Sequence, residues 1–509
     1  MAGPADPSRM TNLDLPHQFY LAPTDAPWID GWKQFACDGL TLQADPRLPV
    51  IPLHSAADTH VGFLLGWPIR GTKLLSIAPL HLPPSVDPER AESLETFIYE
   101  LGGRFLVLML SSSCRRIYPD AGATLGLVYS KAEKAVASTL TALMAHQPDH
   151  PIWDARPGTF PDNRPNQFFP AGLTLDPDVH RLLPNHFLDL ERFQPVRCYP
   201  NHPLRCLEPA EIPAQLETIR TLASGCIQAA VAAAPVVYAP LTAGRDSRMV
   251  LACARAFADQ IQFVTFDHTH FNEPGSAVLD LEIANALTTQ YGLQHRVLPV
   301  AARHEDQSDL RYLRRTGFAG GAGKALDFLC ACEQQLDLTG AWLTGFAGEV
   351  GRAFYWRSED AARSDITPAE LLQRMLLPPS DPFLTAMEQW LHQLPPGLPL
   401  PTILDLAYTE HRLGCWAAPH LYGAAPFQMN LVPLCHRAIF EVMLQLPPDY
   451  KLHQALARDL IAGAWPELLQ LPFNEHVGLR KLIDHLRRAP RELKWAMQRK
   501  VRNALRHRN

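Results

Sequence analysis

The 509-residue sequence predicts an α+β region followed by an α/β region with a parallel sheet and a mainly helical C-terminal part. Residues 1–160 contain short strand-like runs between Gly, Pro or Asp turns, with few helical patterns. From about Ala210, helical patterns alternate with short buried apolar runs, which is typical of a parallel sheet. After Thr367 the helical patterns dominate.

The individual elements follow from these patterns. In the first region we expect strands at 48–53, 60–67, 72–77, 104–110 and 125–129, and helices at 87–102 and 131–144. A segment rich in Pro, Asp and Asn at 151–170 is interpreted as a linker. In the second region we expect strands at 236–241, 261–266, 294–298 and Ala341–Leu343, and a helix at 247–258.

Composition limits the class of protein. With 47% apolar and 19% charged residues, the chain can bury substantial cores. A formal net charge of −6 offers no general attraction for nucleic acid, so no nucleic-acid partner is expected. Ten cysteines in a chain whose first residues lack a basic, apolar leader predict reduced thiols in a cytoplasmic protein.

One turn has the strongest functional pattern. The apolar run at 236–241 ends in a small turn that contains Gly244, and Asp246 and Ser247 then open a helical pattern. Such a turn leaves backbone N–H groups pointing outward at a helix N-terminus, where phosphate oxygens bind. Asp246 has the side chain that binds the Mg2+ accompanying a nucleotide. On these residues alone, a strand–turn–helix without a ligand remains the alternative.

This turn resembles the Ser-Gly-Gly-x-Asp-Ser pyrophosphate loop (PP-loop) of the ATP pyrophosphatases, most of all that of asparagine synthetase-like proteins. Its six residues are Thr242, Ala243, Gly244, Arg245, Asp246 and Ser247. The first two replace the Ser and the Gly that begin the family's loop. The resemblance implies that the loop backbone binds the pyrophosphate of ATP, that Asp246 binds Mg2+ and that Arg245 neutralises developing charge.

Two further segments resemble the same family in the same order along the chain. Strand residues Val264, Thr265 and Phe266 are expected to meet the adenine edge through their backbone, because ligands bind at the carboxyl ends of parallel strands. After the strand at Ala341–Leu343, a turn that begins with Thr344 and Gly345 resembles the family's Ser-Gly-x-Gly-x-Asp-Glu signature.

Glu349 stands at the aspartate position of this second signature, so the resemblance implies a second Mg2+ ligand. Parallel-sheet geometry should bring it within roughly 10 Å of Asp246. Phe346 stands where the family often has glutamate, and Val350 replaces its second acid. A glycine turn in which Glu349 only caps a helix is the alternative.

The C-terminal segments 426–451 and 458–474 resemble the helices that close over the acyl-adenylate in this family. The family usually places a catalytic lysine just after the second of these, where this chain has 471–473, a Leu-Pro-Phe run. Arg352, Arg357 and Lys451 are the candidate substitutes, and Arg352 joins Arg245, Asp246 and Glu349 in the predicted catalytic set.

The first region resembles the glutaminase domain of class II amidotransferases, through the segment 103–138. That resemblance implies a sandwich of the N-terminal-nucleophile type. Those enzymes use a cysteine at the mature N-terminus, whereas Ala2 follows Met1 here and the first cysteine is Cys37. We find no counterpart of the family's Asn-Gly-Glu segment either, so we expect that glutaminase activity is lost.

These resemblances predict a degenerate glutaminase-like domain at 1–165, a crossing segment at 166–209, a PP-loop synthetase domain at 210–479 and a basic helix at 480–509. The implied reaction is ATP-dependent activation of a carboxylate, in a small molecule, a peptide or a sugar acid, with ammonia or an amine as nucleophile. An intramolecular amide ligase like the β-lactam synthetases and lasso-peptide cyclases, or an inactive nucleotide-binding protein, are the alternatives. The basic helix could contact a protein or a membrane surface.

Overall fold

The computed structural model describes residues 14–155, 168–201, 204–269, 274–301, 307–320, 323–423 and 427–475. The predicted basic helix at 480–509, Ala2 and most of the predicted linker lie outside these residues. The described part of the chain has a mixed α/β fold with three sheets and surrounding helices. The expected combination of an α+β region and a parallel α/β region is confirmed at this level.

Within the described residues, fourteen strands build the first two sheets, and the turns between them carry the Gly, Asp and Pro residues that the sequence pattern indicates. They are β1 (Phe19–Pro23), β2 (Lys33–Cys37), β3 (Leu40–Ala44), β4 (Val50–His54), β5 (His60–Arg70), β6 (Lys73–Leu74), β7 (Leu80–His81), β8 (Leu101–Leu110), β9 (Arg115–Pro119), β10 (Val128–Ser130), β11 (Ala135–Ala137), β12 (Val179–Arg181), β13 (His186–Asp189) and β14 (Gln194–Arg197).

The first sheet has the order β12-β10-β11-β1-β3-β2, and the second has the order β14-β13-β9-β8-β5-β4-β7, with β6 paired to β5. Alternation along the strands separates two faces in each sheet. Phe19 of β1 and Leu106 of β8 face one shared core between the sheets. Tyr20 and Val107, each one residue further, face outer cores on the opposite sides. Strands β12 to β14, from the predicted crossing segment, belong to these two sheets.

The third sheet is entirely parallel. Its strands are β15 (Val237–Pro240), β16 (Ile261–Asp267), β17 (His295–Pro299), β18 (Ala341–Leu343) and β19 (Met429–Leu431), in the order β17-β16-β15-β18-β19. The four strands expected from the sequence lie within one residue of the predicted bounds at each end. The fifth strand, β19, lies in a region that the sequence indicated to be mainly helical.

The helices cover the outer faces of the sheets and form the C-terminal part. They are α1 (Ala91–Tyr99), α2 (Leu140–Leu143), α3 (Ile212–Ala233), α4 (Arg245–Cys253), α5 (Pro274–Tyr291), α6 (Gln307–Thr316), α7 (Gly323–Gln335), α8 (Pro368–Arg374), α9 (Asp381–His392), α10 (Leu400–Ala407), α11 (Ala418–Gly423), α12 (Arg437–Gln445), α13 (Pro448–Leu452) and α14 (Ala455–Ala464), together with a π-helix at Tyr408–Ala417.

Two of the predicted elements in the first region differ most from the structure. The helix expected at 131–144 is a turn with Lys134 at φ 50°, then strand β11, and only then the short helix α2. Pairing of β11 with β1 on one side and β10 on the other overrides the helix propensity of this alanine-rich segment. The strand expected at 72–77 is reduced to the two residues of β6. Within the described part of the chain, no helix has the length and apolar character needed to cross a membrane.

Candidate functional site

The order of strands in the third sheet creates a crevice between β15 and β18. From β15 the chain builds the sheet outward through β16 and β17, then returns to the other side of β15 with β18 and β19. Strands β15 and β18 are neighbours, but the connections after them leave in opposite directions. At such a switch point, ligands of parallel sheets bind beside the carboxyl ends of the strands. The predicted PP-loop follows β15 and the second predicted signature follows β18.

Side chains of the protein already bind several N–H groups of the predicted PP-loop. The Thr242 N–H donates to Ser247 Oγ at 3.2 Å, and the Gly244 N–H donates to Thr242 Oγ1 at 3.1 Å. The Ala243 N–H donates to Asp280 Oδ1 at 2.8 Å. The N-cap of α4 is Gly244, which has no side chain to cap the helix. The donors left for an anion are therefore those of the first turn of α4, a narrower set than the sequence indicated.

The turn after β18 packs directly against the N-terminus of α4. A Cβ atom at Gly345 would lie 3.2 Å from the Ser247 nitrogen, and one at Gly348 would lie 2.3 Å from Asp246 Oδ1. Ala347, between them, has the left-handed φ of 78° that turns the chain toward Glu349. The close approach requires glycine at 348, because any side chain there would displace the Asp246 carboxylate.

Asp246 and Glu349 lie together, with Arg352 between them. Arg352 Nη2 donates to Asp246 Oδ2 at 3.0 Å and contacts Glu349 Oε1 at 2.9 Å. These contacts place the two acidic oxygens within about 6 Å of each other, inside the range for sharing a metal ion. Burial, and then the Glu349 charge, raise the pKa of Asp246 above its ordinary value, although Arg352 and Arg245 oppose this.

The donor set of these two acids fits Mg2+. Asp246 Oδ1 and Glu349 Oε2 are buried and have no hydrogen-bond partner within the described residues, while the other oxygen of each acid contacts Arg352. Carboxylate oxygens are the ligands that Mg2+ prefers. A cavity of about 10 Å³, large enough for one water molecule, is lined by Asp246, Arg245 and Arg352 among others. These two acids could therefore hold Mg2+, together with oxygens of a bound phosphate.

The π-helix adds residues that the sequence reasoning missed. Tyr408 lies beside Glu349 and is buried there, and burial followed by the Glu349 charge raises its pKa well above the ordinary value. One turn further, the Arg412 guanidinium lies 3.6 Å from the centre of the Trp416 ring and interacts electrostatically with Glu349. A π-helix often marks a functional site. This unusual helix type would have been the signal, but nothing in the sequence indicates it.

The segment 468–474 folds over the other side of the loop. The Arg248 side chain, fully buried on α4, donates to the carbonyls of Leu471 at 2.6 Å and Pro472 at 3.0 Å. The Phe473 ring lies 5.3 Å from the Arg245 guanidinium, and the Asn474 N–H donates to the Ala243 carbonyl at 3.0 Å. The run at 471–473 thus lies on the loop, although it contains no lysine.

The strand residues predicted to meet the adenine differ from the two acids, because their side chains contact other parts of the protein. The side chains of Val264 and Thr265 are buried, and Thr265 Oγ1 donates to the Leu241 carbonyl at 2.7 Å, so both serve the protein interior. Phe266 stacks on Phe328 at 4.2 Å. Pairing of β16 with β15 ends at Val264, whereas its pairing with β17 continues to Asp267. The backbone beyond Val264 therefore extends past the end of β15 at the carboxyl edge of the sheet.

Of the three cations considered in place of the family lysine, only Arg352 contacts the two acids. Lys451 is buried and its Nζ donates to Asp405 Oδ2 at 2.5 Å and to the Leu444 carbonyl at 3.2 Å. Arg357 is exposed. Thr344 is held at the end of β18, where its N–H donates to the Leu431 carbonyl at 2.9 Å.

Comparison with protein-family models finds no match, and comparison with curated proteins finds none either. The functional argument therefore depends on the site itself.

Proposed function

We propose that this protein is an ATP-dependent amide-forming synthetase of the asparagine synthetase type. In this proposal, a degenerate N-terminal-nucleophile-type sandwich precedes a PP-loop domain. The observation that carries the proposal is the pair of partly buried carboxylates, Asp246 and Glu349, at the switch point of a parallel sheet. Each keeps one oxygen without a partner among the described residues, which is what a bound Mg2+ would use.

The chemistry has two steps. The substrate carboxylate attacks the α-phosphorus of ATP and pyrophosphate leaves, which gives an acyl-adenylate. Ammonia or an amine then attacks the acyl carbon, forms the amide bond, loses a proton and releases AMP. Both steps depend on holding the reactants in line and on neutralising the charge of the leaving group.

Different residues of the chain would bind the pyrophosphate, bind Mg2+ and neutralise the charge of the leaving group. The first-turn N–H groups of α4 and the Arg245 guanidinium would hold the leaving pyrophosphate, since anions bind at helix N-termini. Asp246 and Glu349 would hold Mg2+, which would offset the charge on the phosphates. Arg352 already bonds both acids, so it would remain beside the leaving group and add positive charge there.

Residues of the π-helix support a binding place for the substrate carboxylate. Arg412 lies over Trp416 near Glu349, and guanidinium groups bind carboxylates through two parallel hydrogen bonds. Tyr408 lies at the same acid. The acyl group would therefore enter from the π-helix side, opposite the loop that holds the phosphates.

We further propose that the nitrogen comes from solvent rather than from hydrolysis of glutamine within this chain. At the junction between the first sheets and the π-helix side, the Arg104 guanidinium lies 4.6 Å from the centre of the Tyr422 ring, and the Tyr422 hydroxyl donates to the Gly126 carbonyl at 2.9 Å. This junction is packed with side chains, which favours free ammonia or an amine as nucleophile.

A catalytically inactive nucleotide-binding protein is the second candidate. Two observations favour it: Arg352 satisfies one oxygen of each acid without any ligand, and Thr242, Ser247 and Asp280 already occupy three N–H groups of the loop. Turnover separates the two candidates, because only a synthetase releases pyrophosphate.

The test combines ATP binding with pyrophosphate release, with candidate acids and with ammonium or amines. Asp246→Asn should weaken ATP binding in the presence of Mg2+, whereas Glu349→Gln should leave binding largely intact and slow pyrophosphate release by roughly 10²–10³. Glu359→Gln, an exposed acid ten residues further, is the matched control and should behave like the wild type. Equal ATP affinity of the wild type and Asp246→Asn would rule out this loop. Binding without pyrophosphate release from any acid would favour the second candidate.

A further inference from the structure

Three histidines stand side by side across three strands of the second sheet. His54 ends β4, and the strand register pairs it with His60 of β5 on one side and with His81 of β7 on the other. Side chains paired in this way point to the same face of a sheet. The ring centres confirm the row, because His54 lies 5.6 Å from His60 and 5.5 Å from His81.

A carboxylate completes the group. Asp58 lies in the turn between β4 and β5 with a left-handed φ of 64°, and this turn is held by Ser55, whose Oγ accepts from the N–H groups of Ala57 and Thr59. One oxygen of Asp58, Oδ1, lies 3.1 Å from His54 Nδ1 and 2.9 Å from His81 Nε2. Backbone pairing and the turn therefore hold two imidazole nitrogens and one carboxylate oxygen at a single point.

We propose that His54, Asp58 and His81 form a binding site for a divalent transition-metal ion of the Zn2+ class. The three ligand atoms lie within 4.8 Å of one another, and no other such group of three occurs within the described residues. Ligands bound at about 2.0–2.2 Å in a tetrahedron lie roughly 3.3–3.6 Å apart, slightly more than the 3.1 and 2.9 Å that separate the Asp58 oxygen from the two imidazole nitrogens. Binding would require only small movements of these side chains.

The ligand types point to the same class of ion. Two neutral imidazoles and one carboxylate suit Zn2+, and imidazole disfavours the Ca2+ or Mg2+ that carboxylates alone would attract. The side chains of His81 and Asp58 are 50% and 78% exposed, so the remaining coordination position faces solvent. The site is therefore of the open kind, with three protein ligands and a place for water or for a group from a ligand.

The site lies in the second sheet, in the region whose sequence resembles a glutaminase domain. It does not depend on the proposed synthetase function. Asp58 is 4 positions from His54 and 23 positions from His81, so these ligands do not form a short sequence motif. Only the parallel pairing of β4 with β7 brings His81 to His54.

The test uses the full-length protein, stripped of metal with a chelator and titrated with Co2+ and then with Zn2+. The visible absorption of Co2+ reports a low-coordinate site with nitrogen ligands, and it should saturate at one equivalent and disappear when Zn2+ displaces the cobalt. Loss of a residue that only supports a metal ligand lowers metal affinity by about 10–100-fold. His54→Ala and His81→Ala each remove a ligand itself, so each should lower the affinity for Co2+ by at least this factor. Asp58→Asn keeps the shape of the turn and should weaken binding in the same direction.

His392→Ala, an exposed histidine on α9, is the matched control and should bind Co2+ like the wild type. Circular dichroism verifies that each variant is folded. The proposal is overturned if the stripped wild type shows no saturable cobalt band, or if His54→Ala and His81→Ala bind Co2+ as tightly as the wild type. It is also overturned if the His392→Ala control loses the band.

Discussion

Arg352 holds two acids that would otherwise repel each other, so its removal should destabilise the protein in a way that depends on pH. Arg352→Met keeps a long, flexible side chain but removes the cation that contacts Asp246 and Glu349. The two carboxylates would then face each other at the end of the parallel sheet without this counter-charge.

The size of the effect follows from burial. Breaking a fully buried ion pair by removing one partner costs about 3–5 kcal/mol. Here the side chains of Arg352, Asp246 and Glu349 are 21%, 23% and 18% exposed, so water compensates part of the loss. We expect the free energy of unfolding to fall by about 2–3 kcal/mol at pH 8.

The sign of the pH dependence follows from the raised pKa of Asp246. A carboxyl group whose pKa is higher in the folded than in the unfolded protein binds more protons when folded, so stability falls as pH rises above the unfolded value of about 3.9. Without Arg352 this pKa should rise further. The loss in Arg352→Met should therefore be largest at pH 8 and smaller at pH 5, which lies below the raised pKa of Asp246.

Unfolding midpoints in urea and by heating, measured at pH 5 and pH 8 with and without Mg2+, check this prediction. Added Mg2+ should stabilise Arg352→Met more than the wild type, because binding to the folded state alone raises stability. Arg357→Met, an exposed arginine on the same segment, is the control. An equal loss at both pH values together with no response to Mg2+ would refute the reasoning, since the effect would then come from packing rather than from charge.

Three further outcomes are expected. Gly348→Ala should abolish Mg2+-dependent ATP binding while the secondary structure persists, because the added Cβ would lie 2.3 Å from Asp246 Oδ1. Isothermal titration with ATP measures this affinity, and an unchanged affinity would contradict the geometry. Glu410→Gln should lower the free energy of unfolding by about 3–5 kcal/mol, since the buried Arg197 guanidinium would lose its counter-charge. Unfolding midpoints in urea measure the loss, and a change below about 1 kcal/mol would contradict the prediction. Affinity for ATP with Mg2+ should rise with pH through the raised pKa of Asp246, as the acid becomes a carboxylate; a flat profile from pH 5 to 8 would refute it.

The sequence predicted the parallel sheet and the closeness of Asp246 and Glu349 because both depend on local patterns and on one general rule. Buried apolar runs predict strands, and the carboxyl ends of neighbouring parallel strands meet at one edge. The structure places both acids where that rule requires. Their binding of Mg2+ and ATP stays a prediction.

What could not be predicted depends on contacts between distant parts of the chain. Strand β19 has three residues, too few for a period to be visible, and it forms only because β18 offers an edge. Tyr408 reaches Glu349 from a π-helix that no sequence pattern signals. The helix expected at 131–144 was wrong because propensity is a weak guide where a strand partner exists on both sides.

The contacts of Arg248 also have a consequence for how the protein is made. Its guanidinium donates to the carbonyls of Leu471 and Pro472, which lie 223 and 224 positions further along the chain. The Asn474 N–H donates to the Ala243 carbonyl. During synthesis from the N-terminus, the loop that would receive ATP therefore lacks its covering segment until nearly all described residues have left the ribosome. A nascent chain or a product shortened before Leu468 would contain every predicted ligand of the nucleotide, yet its Arg248 would lack the carbonyls of Leu471 and Pro472. Synthesis of the segment 468–474 thus completes the packing around this loop.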